Sequence, residues 1–189
     1  MTTQSTGRYI SLSELSLVSR NRLLWEQHVA WTRMTFISLI FKLPDVSFVV
    51  TRLLRNATDM GNAIRPCYGD QIANQYAQLI REHLFIEADL VKALLSGNPQ
   101  QVSDEQRKWH NNADQITVFW SNINPFIDRE AFRRMFYEHL RLTTIEATTM
   151  ITKDFKADVA IFDQIEAEAL EMADAISIAM VKQFPQMFK

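Results

Sequence analysis

The strongest constraint on this chain is where its helix breakers fall. Only four glycines and five prolines occur among 189 residues, and most stand between long segments whose apolar residues recur every three or four positions. Interrupted at so few points, such a chain is confined to long helices that bury one face against each other. Nothing alternates with period two over a strand-length window bounded by turn pairs, so no sheet is expected. The expected architecture is all-α: an up-and-down bundle of four long helices, with one additional short helical segment between the first two.

Ser11 or Ser13 can accept hydrogen bonds from the free N–H groups of a first helix, which carries Leu24, Trp25, His28, Trp31 and Phe36 and stops before Pro44. Asp45 is placed to cap the short helix, which runs through Val49 and Leu53 and is expected to break off at residues 56–61. Pro66 and Gly69 mark a second break. Beyond it Ile72, Tyr76, Leu79, His83, Ile86 and Leu90 form the stripe of a second long helix, closed by Gly97 and Pro99. Trp109, Ala113, Ile116, Trp120 and Ile123 repeat the spacing in a third, which ends at Asn124-Pro125. Asp128 opens the last and longest segment, which ends before Pro185. It carries one stripe through Phe132, Met135, His139, Leu142, Glu146 and Thr149, and another through Phe162, Glu166, Ala169, Ala173 and Ile176. The polar residues 152–156 between them read as a kink.

A 47% hydrophobic content in a chain of this length suits one well-buried core, so residues 1–189 are expected to form a single domain with residues 1–10 flexible. Lys and Arg total 20 against 22 Asp and Glu, which leaves no excess of positive charge for a phosphate backbone or an anionic bilayer. Neither nucleic acid nor a membrane is therefore an expected partner. The polar N-terminus lacks the apolar stretch of a secretory signal, and the expected location is the cytoplasm. Cys67 is the only cysteine, which excludes an internal disulfide and a cysteine-based metal cluster. Phe126, Phe184 and Phe188 near helix ends suggest a sticky surface and hence a homodimer.

The chemistry-bearing residues are the histidines, which fall one to each long segment: His28, His83, His110 and His139. His83 and His139 lie on apolar stripes, and His28 lies one turn from Leu24 and Trp31. Facing stripes of a bundle converge on one axis, where metal sites are assembled from inward side chains. Glu87 is one turn after His83, Glu146 two turns after His139, and Glu166 stands on a third stripe. A set of His28, His83, His139, Glu87, Glu146 and Glu166 offers nitrogen and oxygen donors suited to iron, zinc or manganese. The competing expectation is that the same groups pair with each other, because buried polar groups need partners with or without a metal. His110 lies beside its stripe with Asp114 one turn on, and a solvated pair is expected there.

No His-Glu-x-x-His motif occurs, and neither does the Glu-x-x-His pair of di-iron bundles. One internal echo is visible: Glu82-His83-Leu84 and Glu138-His139-Leu140 share three residues, and Glu26-Gln27-His28 is a weaker relative. Three residues alone decide little between pseudo-symmetry and chance.

The strings Leu24-Trp25-Glu26-Gln27-His28-Val29, Arg81-Glu82-His83-Leu84, Ile123-Asn124-Pro125, Tyr137-Glu138-His139-Leu140 and the stretch from Ala169 to Asp174 together resemble an uncharacterised family of bacterial all-helical proteins. The likeness covers most of the chain. Some members of that family carry the label acetylglutamate kinase. Kinases of that class look like α/β proteins with glycine-rich loops over the ATP phosphates, and glycines at positions 7, 61, 69 and 97 supply no such loop. The histidine-bearing stripes are also loosely similar to those of ferritin-like metal-binding bundles, which implies a polar, metal-binding bundle centre. The expected function is thus divalent-metal binding for storage, sensing or redox chemistry. The alternative is a metal-free interaction or structural protein.

Overall fold

The computed structural model describes residues 9–189, and among these there are helices and no strands. The helices are α1 (Leu12–Ile40), α2 (Val46–Ser96), α3 (Pro99–Ile123), α4 (Arg129–Ile151) and α5 (Phe155–Gln183). Tyr9 and Ile10 are exposed and non-helical, while the rest of the segment expected to be flexible lies outside the described residues.

Capping chemistry explains most of the boundaries. The Ser11 hydroxyl accepts from the Glu14 N–H, Asn98 from Gln100 and Gln101, Asp128 from Ala131, and Asp154 from Ala157. Gly97, at φ 66°, closes α2 in the left-handed conformation that glycine adopts without strain. Asp45 stands at the start of α2 but makes no capping bond; its carboxylate accepts from Ser38 Oγ at 2.8 Å instead.

Two expectations about the helices are corrected. Residues 56–61 do not break α2, because Asn56 and Gly61 are buried inside a continuous helix. The break comes at Gly69, where φ is 78° and ψ is 177°, and there the chain turns back on itself. A Cβ on Gly61 would sit 2.6 Å from the Ala73 carbonyl oxygen and 2.8 Å from the Ala77 Cβ, residues more than three turns away along a straight helix. The halves 46–68 and 70–96 therefore run antiparallel in close contact, and only glycine permits that approach. The last segment is likewise not one kinked helix. Lys153, at φ 62°, separates α4 from α5 completely. Four long helices and a short one thus become five helices, the second folded in two.

The result is three helical hairpins: α1 with residues 46–68, residues 70–96 with α3, and α4 with α5. Their neighbours close a ring, since α1 packs on α2 and α5, α2 on α3, and α3 on α4. All five helices contribute to one apolar core, including Trp25, Ile80, Trp109, Trp120, Phe136 and Met172. Among the described residues no helix is long and apolar enough to cross a membrane.

Candidate metal centre

His28, His83 and His139 come from the first helix of each hairpin and meet at the centre of the ring. Each is no more than 2% exposed, and one donor atom from each lies within 4.8 Å of the other two. Ring centroids form a nearly equilateral triangle of 6.1, 5.7 and 6.1 Å.

The second helix of each hairpin holds the histidine from outside. His28 Nδ1 is 3.2 Å from Asn56 Oδ1, His83 Nδ1 is 2.8 Å from Asn112 Oδ1, and His139 Nδ1 is 3.1 Å from Glu168 Oε2. The amides can only accept in these bonds, because their Nδ2 groups are spent on carbonyls: Asn56 donates to Leu24 O and Asn112 to Leu79 O. Each of those carbonyls belongs to the residue four before the histidine. The proton of His28 and of His83 is thereby fixed on Nδ1, as it is for His139 against the Glu168 carboxylate. Nε2 is left as the inward atom.

This architecture is an internal repeat. Histidine and partner are separated by 28, 29 and 29 residues in the three hairpins. His83 follows His28 by 55 residues, His139 follows His83 by 56, and the partners Asn56, Asn112 and Glu168 recur every 56. Each partner is followed by alanine, at Ala57, Ala113 and Ala169, all fully buried. The Glu-His-Leu echo is the visible tip of that repeat.

Electrostatics differ around the triangle. Burial, helped by the charge of His139, pushes His28 down to about 3, and burial drives His83 well below the usual histidine range as well. His139 goes the other way. Burial opposes its charge, but the bond to Glu168 and the charges of Glu168, Glu87 and Glu146 outweigh burial and raise it. Two neutral imidazoles and one site that favours positive charge therefore share a single buried centre.

The carboxylates do not join the triangle. Glu87, 2% exposed, accepts a 3.3 Å bond from Thr32 Oγ1 through Oε2 and has no partner at Oε1; burial pushes it up to about 8. Glu146, 1% exposed, is held by Arg33, which also makes a two-pronged pair with Asp158 at 2.9 and 2.7 Å. Burial raises Glu146 to about 7 in spite of that cation. Glu166 is half-buried and faces Glu26 on the outside of the bundle; the residue on its helix that reaches His139 is Glu168. The expected pairing of His83 and His139 with Glu87 and Glu146 is accordingly replaced by pairing with Asn112 and Glu168. His110 bonds the Gln106 carbonyl and Asp114 bonds Arg133 and Tyr137, all away from the triangle.

One contact competes with a metal. Trp109 donates its indole N–H to His83 Nε2 at 3.1 Å, so the lone pair of His83 is engaged, whereas Nε2 of His139 has no partner at all. Sequence reasoning missed Asn56, Asn112, Glu168 and Arg33. The separation of about eight turns between each histidine and its partner is the signal that could have found three of them. No family model matches the chain, and no curated protein or solved structure matches it either.

Proposed function

We propose that the protein binds one divalent metal ion through Nε2 of His28, His83 and His139. The observation that carries this reading is the outward anchoring of all three Nδ1 atoms by Asn56, Asn112 and Glu168. Metal-bound histidines characteristically donate their second N–H to a carboxylate or carbonyl oxygen, which fixes tautomer and ring orientation. Three imidazoles from three hairpins, all locked in the same sense, are what a three-nitrogen site requires.

The electrostatics support a cation at the centre. A divalent ion supplies the positive charge that Glu168, Glu87 and Glu146 favour at His139, and the neutral His28 and His83 hold lone pairs that protons do not claim near neutral pH. Nitrogens around a single tetrahedral zinc stand about 3.3 Å apart by the geometry of Zn–N bonds of about 2.0–2.1 Å. The triangle must therefore contract from its 4.8 Å limit, and the Trp109 bond to His83 must open. Zinc suits a three-imidazole set best; iron or manganese would draw Glu87 in as an oxygen ligand, with Glu146 held back by Arg33. Glu166 takes no part. Storage is the weakest role for one enclosed ion, so sensing or metal-assisted chemistry is preferred.

The alternative reading has its own observation. Trp109 saturates His83 without any ion, as a purely structural buried histidine would be saturated. Elemental analysis of the purified protein separates the two: one equivalent of transition metal, lost from His83→Ala and His139→Ala variants, is expected, and less than a tenth of an equivalent after metal supplementation would end the metal reading.

A further inference from the structure

The two sides of the histidine triangle are chemically unlike. Three residues before each histidine stand Trp25, Ile80 and Phe136, all buried and apolar. Trp25 lies edge-on to His139 with ring centroids 6.4 Å apart, and Phe136 edge-on to His83 at 6.1 Å. Four residues after each histidine stand Thr32, Glu87 and Thr143, equally buried and all polar. Residues at these offsets cover adjacent turns of the same helix face, so the triangle has an apolar floor and a polar roof.

The roof is under-satisfied. Thr143 Oγ1 and Glu87 Oε1 are buried and have no hydrogen-bond partner, nor has His139 Nε2 beneath them; Thr35 Oγ1, one further turn along α1, is in the same position. Buried groups of this kind are almost always paired, and several on one side of a single centre point to a ligand there. Three imidazoles leave at least one coordination position open on a tetrahedral ion, the arrangement by which zinc sites retain an exchangeable water.

Resting on the three-histidine reading, we propose that the metal keeps an exchangeable position on the Thr32–Glu87–Thr143 side, occupied by water that a small anion can displace. Water bound there donates its protons to Glu87 Oε1 and a threonine hydroxyl, and an incoming anion accepts from Thr143. The floor offers no acceptor, and its one donor is the Trp25 indole N–H. The centre is thereby a site for small-ligand binding rather than a sealed structural ion.

Cobalt(II) in place of the native metal provides a visible spectrum, and azide is the probe. Azide should shift the ligand-field bands saturably in the wild type. Thr143→Val should weaken azide about fivefold, the worth of one neutral hydrogen bond, while Ile80→Val on the floor leaves it within about twofold. Glu87→Gln, which puts an amide donor beside the anion, should tighten it. Stoichiometric cobalt with a spectrum that azide never moves would overturn the open position and leave the three-histidine site standing. Azide binding that responds equally to Ile80→Val and Thr143→Val would overturn its placement on the polar side. Failure to take up cobalt at all would remove the histidine site itself, and this inference with it.

Discussion

The second and third hairpins hold their histidines in the same register and surround them differently. His83 meets the neutral amide of Asn112 and the indole N–H of Trp109; His139 meets the carboxylate of Glu168 and keeps Nε2 bare. At the position of Trp109, three before the partner, the third hairpin has Ile165, which donates nothing. One backbone plan thus yields a histidine driven well below its ordinary pKa and another raised above it. Burial is nearly identical for both and lowers both; the difference comes from the acids around His139, Glu168 on the second helix with Glu87 and Glu146 beside it.

If the two histidines differ only in preparation and converge on one ion, removing either should have the same large effect. An ion that prefers the folded state stabilises it by about 3 kcal/mol at a hundredfold excess over its dissociation constant. His83→Ala and His139→Ala should both lose that metal-dependent rise in melting temperature. Chelation of the wild type should mimic the loss and leave each variant nearly unchanged. Thermal melts with and without EDTA decide the matter, since equal melting temperatures for loaded and chelated wild type would refute a shared ion.

The next effect sharpens the contrast between partners. Glu168→Gln converts the third hairpin towards the second, replacing the carboxylate behind His139 with a neutral amide. Loss of such an outer partner typically weakens a metal site 10- to 100-fold, and a drop in that range is expected by competition with a chromogenic chelator. Asn112→Ala should weaken binding as well, but by less, because the neutral bond it removes contributes less to ligand basicity. Equal losses would mean that the carboxylate holds geometry alone.

Much of this was legible in the sequence, and the parts that were not share a cause. Helical class and the histidine-bearing faces followed from spacing, because His83 and His139 replace apolar residues on otherwise regular stripes. Residues 56–61 looked like a break because Asn56 and Gly61 are poor helix formers; both are there for tertiary reasons, one to hold His28 and one to let Ala73 approach. On α5 the apolar residues are too evenly spread to fix its inward face. Val159 and Ile178 are exposed while Ile161 and Ile165 are buried, so a stripe through Glu166 looked as good as the true one through Glu168. Partners on antiparallel helices some 28 residues apart leave no local pattern, and only the repetition of that spacing exposes them.

A smaller effect concerns pH in the metal-free protein. In the unfolded chain Glu87 loses its proton near its ordinary value of 4.5, whereas in the fold it keeps it to about 8. Between those values the folded state carries the extra proton, so this group makes stability fall as pH rises. His28 behaves oppositely: between about 3 and 6.5 the unfolded chain carries the extra proton, and stability falls as pH drops. Above pH 6.5 Glu87, Glu146 and His139, all raised in the fold, act in the same direction, and chelated wild type should melt lower at pH 8 than at pH 6.5. Glu87→Gln should flatten that decline while keeping the acid-side loss. An unchanged decline in the variant would assign it to the other raised groups, Glu146 and His139.

Trp109→Phe is expected to change metal affinity least, and it addresses the asymmetry most directly. The substitution keeps a buried aromatic ring and removes the N–H that occupies His83 Nε2. If His83 must release that bond to bind an ion, the variant starts with the lone pair free, and metal affinity should rise a few-fold, the worth of one neutral hydrogen bond no longer lost on binding. The chelated variant should at the same time be less stable by about 1–3 kcal/mol, because His83 Nε2 is then buried without a partner. Metal should restore the difference, since the ion satisfies the atom the indole has left. If His83 is instead a structural histidine, the destabilisation appears alone and no metal reverses it. The sign of the interaction between this substitution and added metal therefore reports whether Trp109 is a permanent partner of His83 or a placeholder for the ion.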